Sequence, residues 1–205
     1  MRFLEASQPI TTHQGPNDED ALRADLYSLL ATLLAAAPTL DVLGRAAALS
    51  GDGSDLGSAV GALSRIASKL TPAEAEREYN ALFIGLGRGE LLPYGSFYLT
   101  GFLHEKPLAL LRQHMAALGI ARNPNVKEPE DHIATLCEMM AGLIRGAFGA
   151  PLSAGDQEAF FNTHLATWAE HFFTDLEGAS GSVLYAPIGT IGRAFMRIEI
   201  EAYRM

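Results

Sequence analysis

Glu-Pro-Glu-Asp-His-Ile-Ala-Thr-Leu-Cys-Glu-Met-Met-Ala-Gly-Leu-Ile, residues 128–144, is the stretch on which the fold turns. Ile133, Leu136, Met140, Leu143 and Ala147 recur at helical spacing, and Gly149 and Pro151 close the run. Glu128-Pro129 reads as the helix start, with proline at the first helical position and acids in a first turn whose dipole favours negative charge. His132 then falls near the fourth position, where a protonated ring is disfavoured unless Asp131 or another carboxylate compensates. On local grounds alone the string is a well-built helix start.

Composition extends that helix to the whole chain. The 205 residues hold 32 Ala and 29 Leu against 4 Val and 10 Ile. Ala and Leu lose little on entering a helix, whereas the β-branched residues that favour pleated sheets are scarce. The expectation is an all-α protein of about eight to ten or more helices, without a strand. The formal charge of −9 argues against a nucleic-acid binder, because such affinity comes from Lys and Arg neutralising phosphates, and favours a cationic partner. A single cysteine, Cys137, forms no internal disulfide, which suits the cytoplasm. No apolar run suggests a signal peptide or membrane insertion, so the chain is expected to be a cytoplasmic protein without an export signal of its own.

Outward from the central helix, residues 1–16 read as a flexible leader and 17–205 as the structured domain. Asn17 is a candidate cap for a helix carrying Leu22, Leu26, Leu29, Leu30, Leu33 and Leu34 up to Pro38. A short helix near 40–50, a turn at 51–54 and a helix through Leu56, Val60, Leu63, Ile66 and Leu70 follow. Thr71-Pro72-Ala73-Glu74 is a capping box opening a helix that carries Tyr79, Leu82 and Phe83 and ends at Gly85. Beyond the glycine-rich stretch 85–95, helical patterns cover Ser96–Leu103 and Pro107–Leu118, and residues 121–127 form a connector. Phe161, Leu165, Trp168, Phe172 and Leu176 mark one long packed helix. The last helix spans about 183–203, with Pro187 near its first turn.

Catalytic constellations are weak. Gly85-Leu86-Gly87-Arg88-Gly89 follows a helix rather than a strand and lacks a Gly-Lys-Ser/Thr, so it reads as a helix exit before it reads as a phosphate loop. His164 and His171 share a helix face, but no carboxylate lies three or four residues after His164 in the pattern of a di-metal bundle, and the two read as boundary residues. There is no Gly-x-Ser-x-Gly elbow, and Cys137 lies in an apolar helix as a small filler. A second string, Glu78–Gly85 with Pro93–Tyr98, reads as a core helix, a loop and an aromatic helix start, or as the floor of a groove.

Together these strings resemble the TorD/DmsD/NarJ family of cytoplasmic chaperones for redox enzymes. Tyr79–Gly85 with Pro93–Tyr98 is similar to the family's Tyr-x-x-Leu-Phe-x-Gly and Pro-x-x-Ser-x-Tyr elements. Glu128, Pro129, Asp131 and His132 match its Glu-Pro-x-Asp-His element. The later Phe161–Phe172 pattern fits too, so the resemblance spans roughly 20–200. Gly95 departs from relatives that carry a larger, often acidic residue before the serine. The resemblance implies a TorD-like helical bundle, with sub-lobes of about 17–120 and 128–205 around a hinge near 121–131. It implies a non-enzymatic chaperone that binds the twin-arginine signal peptide and apo-form of a molybdoenzyme catalytic subunit. That role assists insertion of molybdenum cofactor and prevents premature export. The chaperone itself is expected to carry no cofactor beyond weak GTP binding; the molybdenum belongs to the client.

The partner-binding residues so implied are Glu128, Pro129, Glu130, Asp131, His132, Tyr79, Phe83, Pro93, Tyr94, Ser96 and Tyr98. Glu130 and Asp131 are the candidates for meeting arginines, because carboxylate and guanidinium pair through two hydrogen bonds. Tyr79, Phe83, Tyr94 and Tyr98 are the candidates for an apolar floor. Both a monomer and a domain-swapped dimer fit a hinged helical protein. Two other classes stay open on the residues: a small metal-dependent helical enzyme using His and Glu/Asp, and a nucleotide-regulated helical module.

Overall fold

The computed structural model describes residues 18–122 and 126–204, so the leader and the Asn17 cap lie outside the described residues. Ten α-helices follow one another: α1 (Asp18–Ala35), α2 (Leu40–Ala47), α3 (Asp55–Ala67), α4 (Pro72–Tyr79), α5 (Gly95–Thr100), α6 (Lys106–Ala117), α7 (Ile133–Arg145), α8 (Ala154–His164), α9 (Ala169–Gly178) and α10 (Tyr185–Ala202). A π-helical turn, Asn80–Ile84, extends α4 to Gly85. The all-α expectation holds. Among the described residues the strand-like contact is a lone antiparallel bridge between Tyr94 and His132. No helix there is long and apolar enough to cross a membrane.

Local chemistry sets the helix starts. Thr39, Ser54 and Ser153 each accept a backbone N–H of their own first turn, and Thr71 with Glu74 closes the capping box reciprocally. α7 runs through the centre, burying ten of its thirteen residues, Cys137 among them. That burial on all sides explains its near-continuous apolar sequence. α1 packs along α7, α9 pairs with α10, and α10 also meets α3. One continuous cluster of buried side chains draws on both of the expected sub-lobes. At the α9–α10 contact a Cβ on Gly192 would sit 2.2 Å from the Phe173 ring, so only glycine admits this approach.

Two polar ties join distant parts of the chain. Glu78 accepts the N–H groups of Val183, Leu184 and Tyr185 at 2.8, 3.1 and 2.9 Å, satisfying the free donors at the start of α10. Glu199, fully buried, takes a two-pronged guanidinium from Arg23 at 2.7 and 2.9 Å and the Tyr27 hydroxyl at 2.9 Å. Tyr203 also hydrogen-bonds Arg23. The pair locks α1 to α10.

Two expectations are corrected. The central helix begins at Ile133, not at Glu128-Pro129, and His132 is its cap rather than a residue within its first turns. The reason is tertiary: the Gly95 N–H donates to the Asp131 carbonyl and the Ile133 N–H to the Pro93 carbonyl, so this backbone pairs sideways instead of along a helix. The single long helix through Phe161 and Phe172 is two, broken at 165–168. There the Trp168 indole N–H donates to the His164 carbonyl at 2.7 Å and satisfies an acceptor at the end of α8. Phe161, Leu165, Trp168, Phe172 and Leu176 are all buried despite the break, which is why the spacing looked continuous.

Candidate functional site

The bridge between Tyr94 and His132 brings the two sequence strings to one place. Pro93, Tyr94 and Ser96 arrive on the lead into α5, and Glu128 to His132 on the lead into α7. Asp131, 3 % exposed, accepts the Ser96 N–H at 2.7 Å and the Ser96 hydroxyl at 2.5 Å through Oδ2. Its Oδ1 is buried with no hydrogen-bond partner among the described residues. Leaving a carboxylate oxygen dry and unpaired is unfavourable by about 1–3 kcal/mol, so this oxygen stands ready for a donor.

His132 caps α7: its Nδ1 accepts the Ala134 N–H at 3.1 Å, which requires a lone pair on that nitrogen. Burial pushes the ring down to about 4, against the opposing pull of Glu128 and Asp131. The ring is therefore neutral at pH 7, and the sequence-level concern over a charged histidine is met by desolvation rather than compensation. The Tyr94 ring stands edge-on to it, centroids 5.2 Å apart. The Tyr94 hydroxyl bonds the exposed Glu128 carboxylate, and burial followed by that contact raises the phenol well above its usual range.

Glu130, expected beside Asp131 to meet arginines, already holds two from this chain. Arg112 and Arg122 reach its carboxylate oxygens, each at 2.8 Å. The aromatic candidates divide. Tyr98 packs on Trp168 and Phe172, with centroids at 5.4 and 6.0 Å, and donates to Asp175 at 2.8 Å. Tyr79 and Phe83 pack with Tyr185, and Tyr79 is close enough to Glu128 for that charge to add to burial in raising its phenol.

Beside the junction lies a cavity of about 360 Å³ lined by Asp131, Gly95, Leu99, Leu110, Leu111, Leu136, Trp168 and His164, with Lys106 and Pro107. Leu99, Leu110, Phe102 and Leu103 are exposed, which puts an apolar collar on the α5–α6 corner. Gly95 shapes the wall, since a Cβ there would lie 3.3 Å from the Trp168 indole nitrogen. Gly95 thus lets the backbone approach the indole. Trp168, Leu99, Leu110 and His164 were not among the expected site residues. Trp168 was legible only as core spacing, and the exposed leucines carry no motif.

His164 Nε2 stands 2.8 Å from His114 Nδ1 across α6 and α8, and burial followed by the electrostatic effect of His114 pushes His164 down to about 4. His171 is exposed and separate. Among the described residues no group of three or more His, Cys, Asp or Glu could hold a metal ion. The Gly85–Gly89 loop folds back on the π-helical turn, where the Leu91 N–H donates to the Leu82 carbonyl at 2.8 Å.

Residues 51–174 match the family model described as nitrate reductase delta subunit. The chain is 28 % identical over 153 residues to the chaperone protein TorD of Vibrio atlanticus (strain LGP32), covering 70 % of this chain and 71 % of that one. It is 30 % identical over 146 residues to the TorD of Vibrio cholerae serotype O1 (El Tor Inaba N16961), covering 67 % and 66 %. A crystal structure of a redox enzyme maturation protein from Archaeoglobus fulgidus superposes with a TM-score of 0.57 at 22 % identity, covering 86 % of this chain and 94 % of that one. That likeness is one of fold.

Proposed function

This chain belongs to the nitrate reductase delta subunit family, the TorD/NarJ group, and on that footing we propose that it is a cytoplasmic chaperone for a molybdoenzyme catalytic subunit. It binds the twin-arginine signal peptide and the apo-form of that subunit, assists insertion of the molybdenum cofactor and prevents premature export. The reading gives the chaperone no catalytic step.

One observation carries the reading: a cavity with an apolar collar counts among its lining residues Asp131, whose Oδ1 is buried and unpartnered. A signal peptide combines a basic start with an apolar middle, and this site offers a buried acceptor beside leucines and an indole. An arginine can lay its methylene stem on that surface and bring its guanidinium to Oδ1. Asp131 is the carboxylate that meets the client. Glu130, clasped by Arg112 and Arg122, holds the connector beside it.

Calorimetric titration with a synthetic twin-arginine signal peptide tests this. Asp131→Asn keeps an oxygen for Ser96 but removes the charge, and is expected to weaken binding by about tenfold or more. Replacing both peptide arginines with lysine is also expected to weaken it, because lysine loses the planar fork. Unchanged affinity in Asp131→Asn would place the peptide elsewhere on the protein.

A further inference from the structure

A groove of about 730 Å³ lies between α1, α2 and α3 and shares no lining residue with the Asp131 cavity. Its α1 wall is the stripe Leu22, Leu26, Leu29 and Leu33, about 16 Å long at 1.5 Å per residue. Val42, Leu49, Leu56 and Val60 line it from α2, α3 and the turn between them. Leu22 is 66 % exposed, and Leu26, Leu29, Val42, Leu49, Leu56 and Val60 are each no more than half-buried. Contiguous apolar surface left open in this way calls for a cover.

The chain carries a segment placed to provide one. Residues 1–17, outside the described residues, join α1 at Asp18, one turn before Leu22 at the end of the stripe. Phe3, Leu4 and Ile10 are large apolar side chains in that mainly polar segment. Gly15-Pro16-Asn17 are turn-forming residue types, and they stand where the chain has to reverse in order to run back along α1. Eight residues separate Ile10 from Asp18 and fourteen separate Leu4 from it, about 26 and 46 Å when extended, so both reach beyond the stripe.

Charge favours this occupant over a second copy. Residues 18–67 carry seven acidic side chains against three arginines and no lysine, a net −4 that a dimer through the groove would set against another −4. Residues 1–17 hold Arg2 against Glu5, and the groove does not repel them. A tethered segment also pays only for loop closure, whose cost grows slowly with length.

We propose that residues 3–10 fold back along α1 and cover the α1–α2–α3 groove, with Ile10 toward Leu22 and with Phe3 and Leu4 toward Leu33. The contact lies within one chain and does not rest on the chaperone reading.

A nitroxide on Ser7→Cys tests this in the full chain by NMR of isotope-labelled leucine and valine methyls. The label goes to one place, because Cys137 is fully buried and burial raises its thiol far above the ordinary range. The nitroxide is expected to weaken the signals of Leu29, Val42 and Val60 several-fold relative to its reduced, diamagnetic form. Changing Phe3, Leu4 and Ile10 together to serine in the same labelled chain is expected to restore them. Phe3→Leu, which keeps an apolar side chain, is expected to preserve the effect. Signals that stay unbroadened, broadening that survives the triple-serine change, or broadening that stops at Leu22 would each overturn the proposal. Broadening at Leu99 and Leu110 in place of Val42 and Val60 would overturn it too. So would broadening passed from a nitroxide-bearing chain to a separate isotope-labelled chain in a mixture, since that puts a second copy in the groove.

Discussion

Asp131 gives one carboxylate oxygen to both donors of Ser96, at 2.7 and 2.5 Å, and keeps the other buried and unpaired. The aspartate therefore ties the lead into α5 to the lead into α7, and it is also one of the residues that line the cavity beside them. Asp131→Ala strips the buried Ser96 N–H of its partner and is expected to lower stability by about 1–3 kcal/mol. Asp131→Asn retains an acceptor and is expected to lower it less. Urea midpoints for the two variants measure the difference. An alanine variant as stable as the parent would mean that Ser96 finds another partner.

His132 makes the fold sensitive to acid. Its folded value of about 4 lies below the ordinary 6.5 because burial disfavours the charged ring. Between those values the unfolded chain binds a proton that the folded chain refuses, so stability rises with pH across that window. The His132 contribution is complete above about pH 6.5 and is lost as pH falls through about 4. His132→Asn keeps a side-chain cap for α7 without a titrating group. Chemical denaturation at pH 7, 6 and 5 is expected to show a shallower decline in that variant than in the parent, and parallel declines would argue against the assignment.

Glu199 is buried with Arg23 and Tyr27 gathered on it. Removing one partner of such a pair leaves the other dry and uncompensated, so Glu199→Ala is expected to destabilise by about 3–5 kcal/mol. Thermal unfolding of Glu199→Ala and of the Glu199→Ala/Arg23→Met double variant separates the two effects. The double variant is expected to recover part of the loss.

Trp168 is the only tryptophan in the chain and lines the Asp131 cavity, so its fluorescence reports on that site alone. A twin-arginine peptide is expected to change its emission with the same affinity that calorimetry gives. Gly95→Val places branched carbon against the indole and is expected to weaken binding several-fold, because a single Cβ already lies at 3.3 Å. Equal affinity in Gly95→Val would show that the peptide does not enter the cavity.

The amino-acid sequence alone determined the helical class, the capping box at Thr71 and the core. These follow from neighbours within a few residues, as in Thr71 with Glu74, or from a spacing that repeats down one face, as in Leu22 to Leu33. It also brought out, through a family resemblance, the two strings that meet at Tyr94 and His132. Tertiary structure decided what those strings do. The Glu128–Asp131 segment has all the local marks of a helix start, yet Asp131 pairs with Gly95 and Ile133 with Pro93 through their backbones, 35 or more residues away in sequence, and the helix begins only at Ile133. The same distance effect places Glu78 on the start of α10, gives Glu130 to Arg112 and Arg122, and breaks the Phe161–Phe172 run at Trp168. Hydrogen bonds between distant segments leave no periodic trace, and the unpaired Asp131 oxygen exists only once Ser96 has been brought to its neighbour.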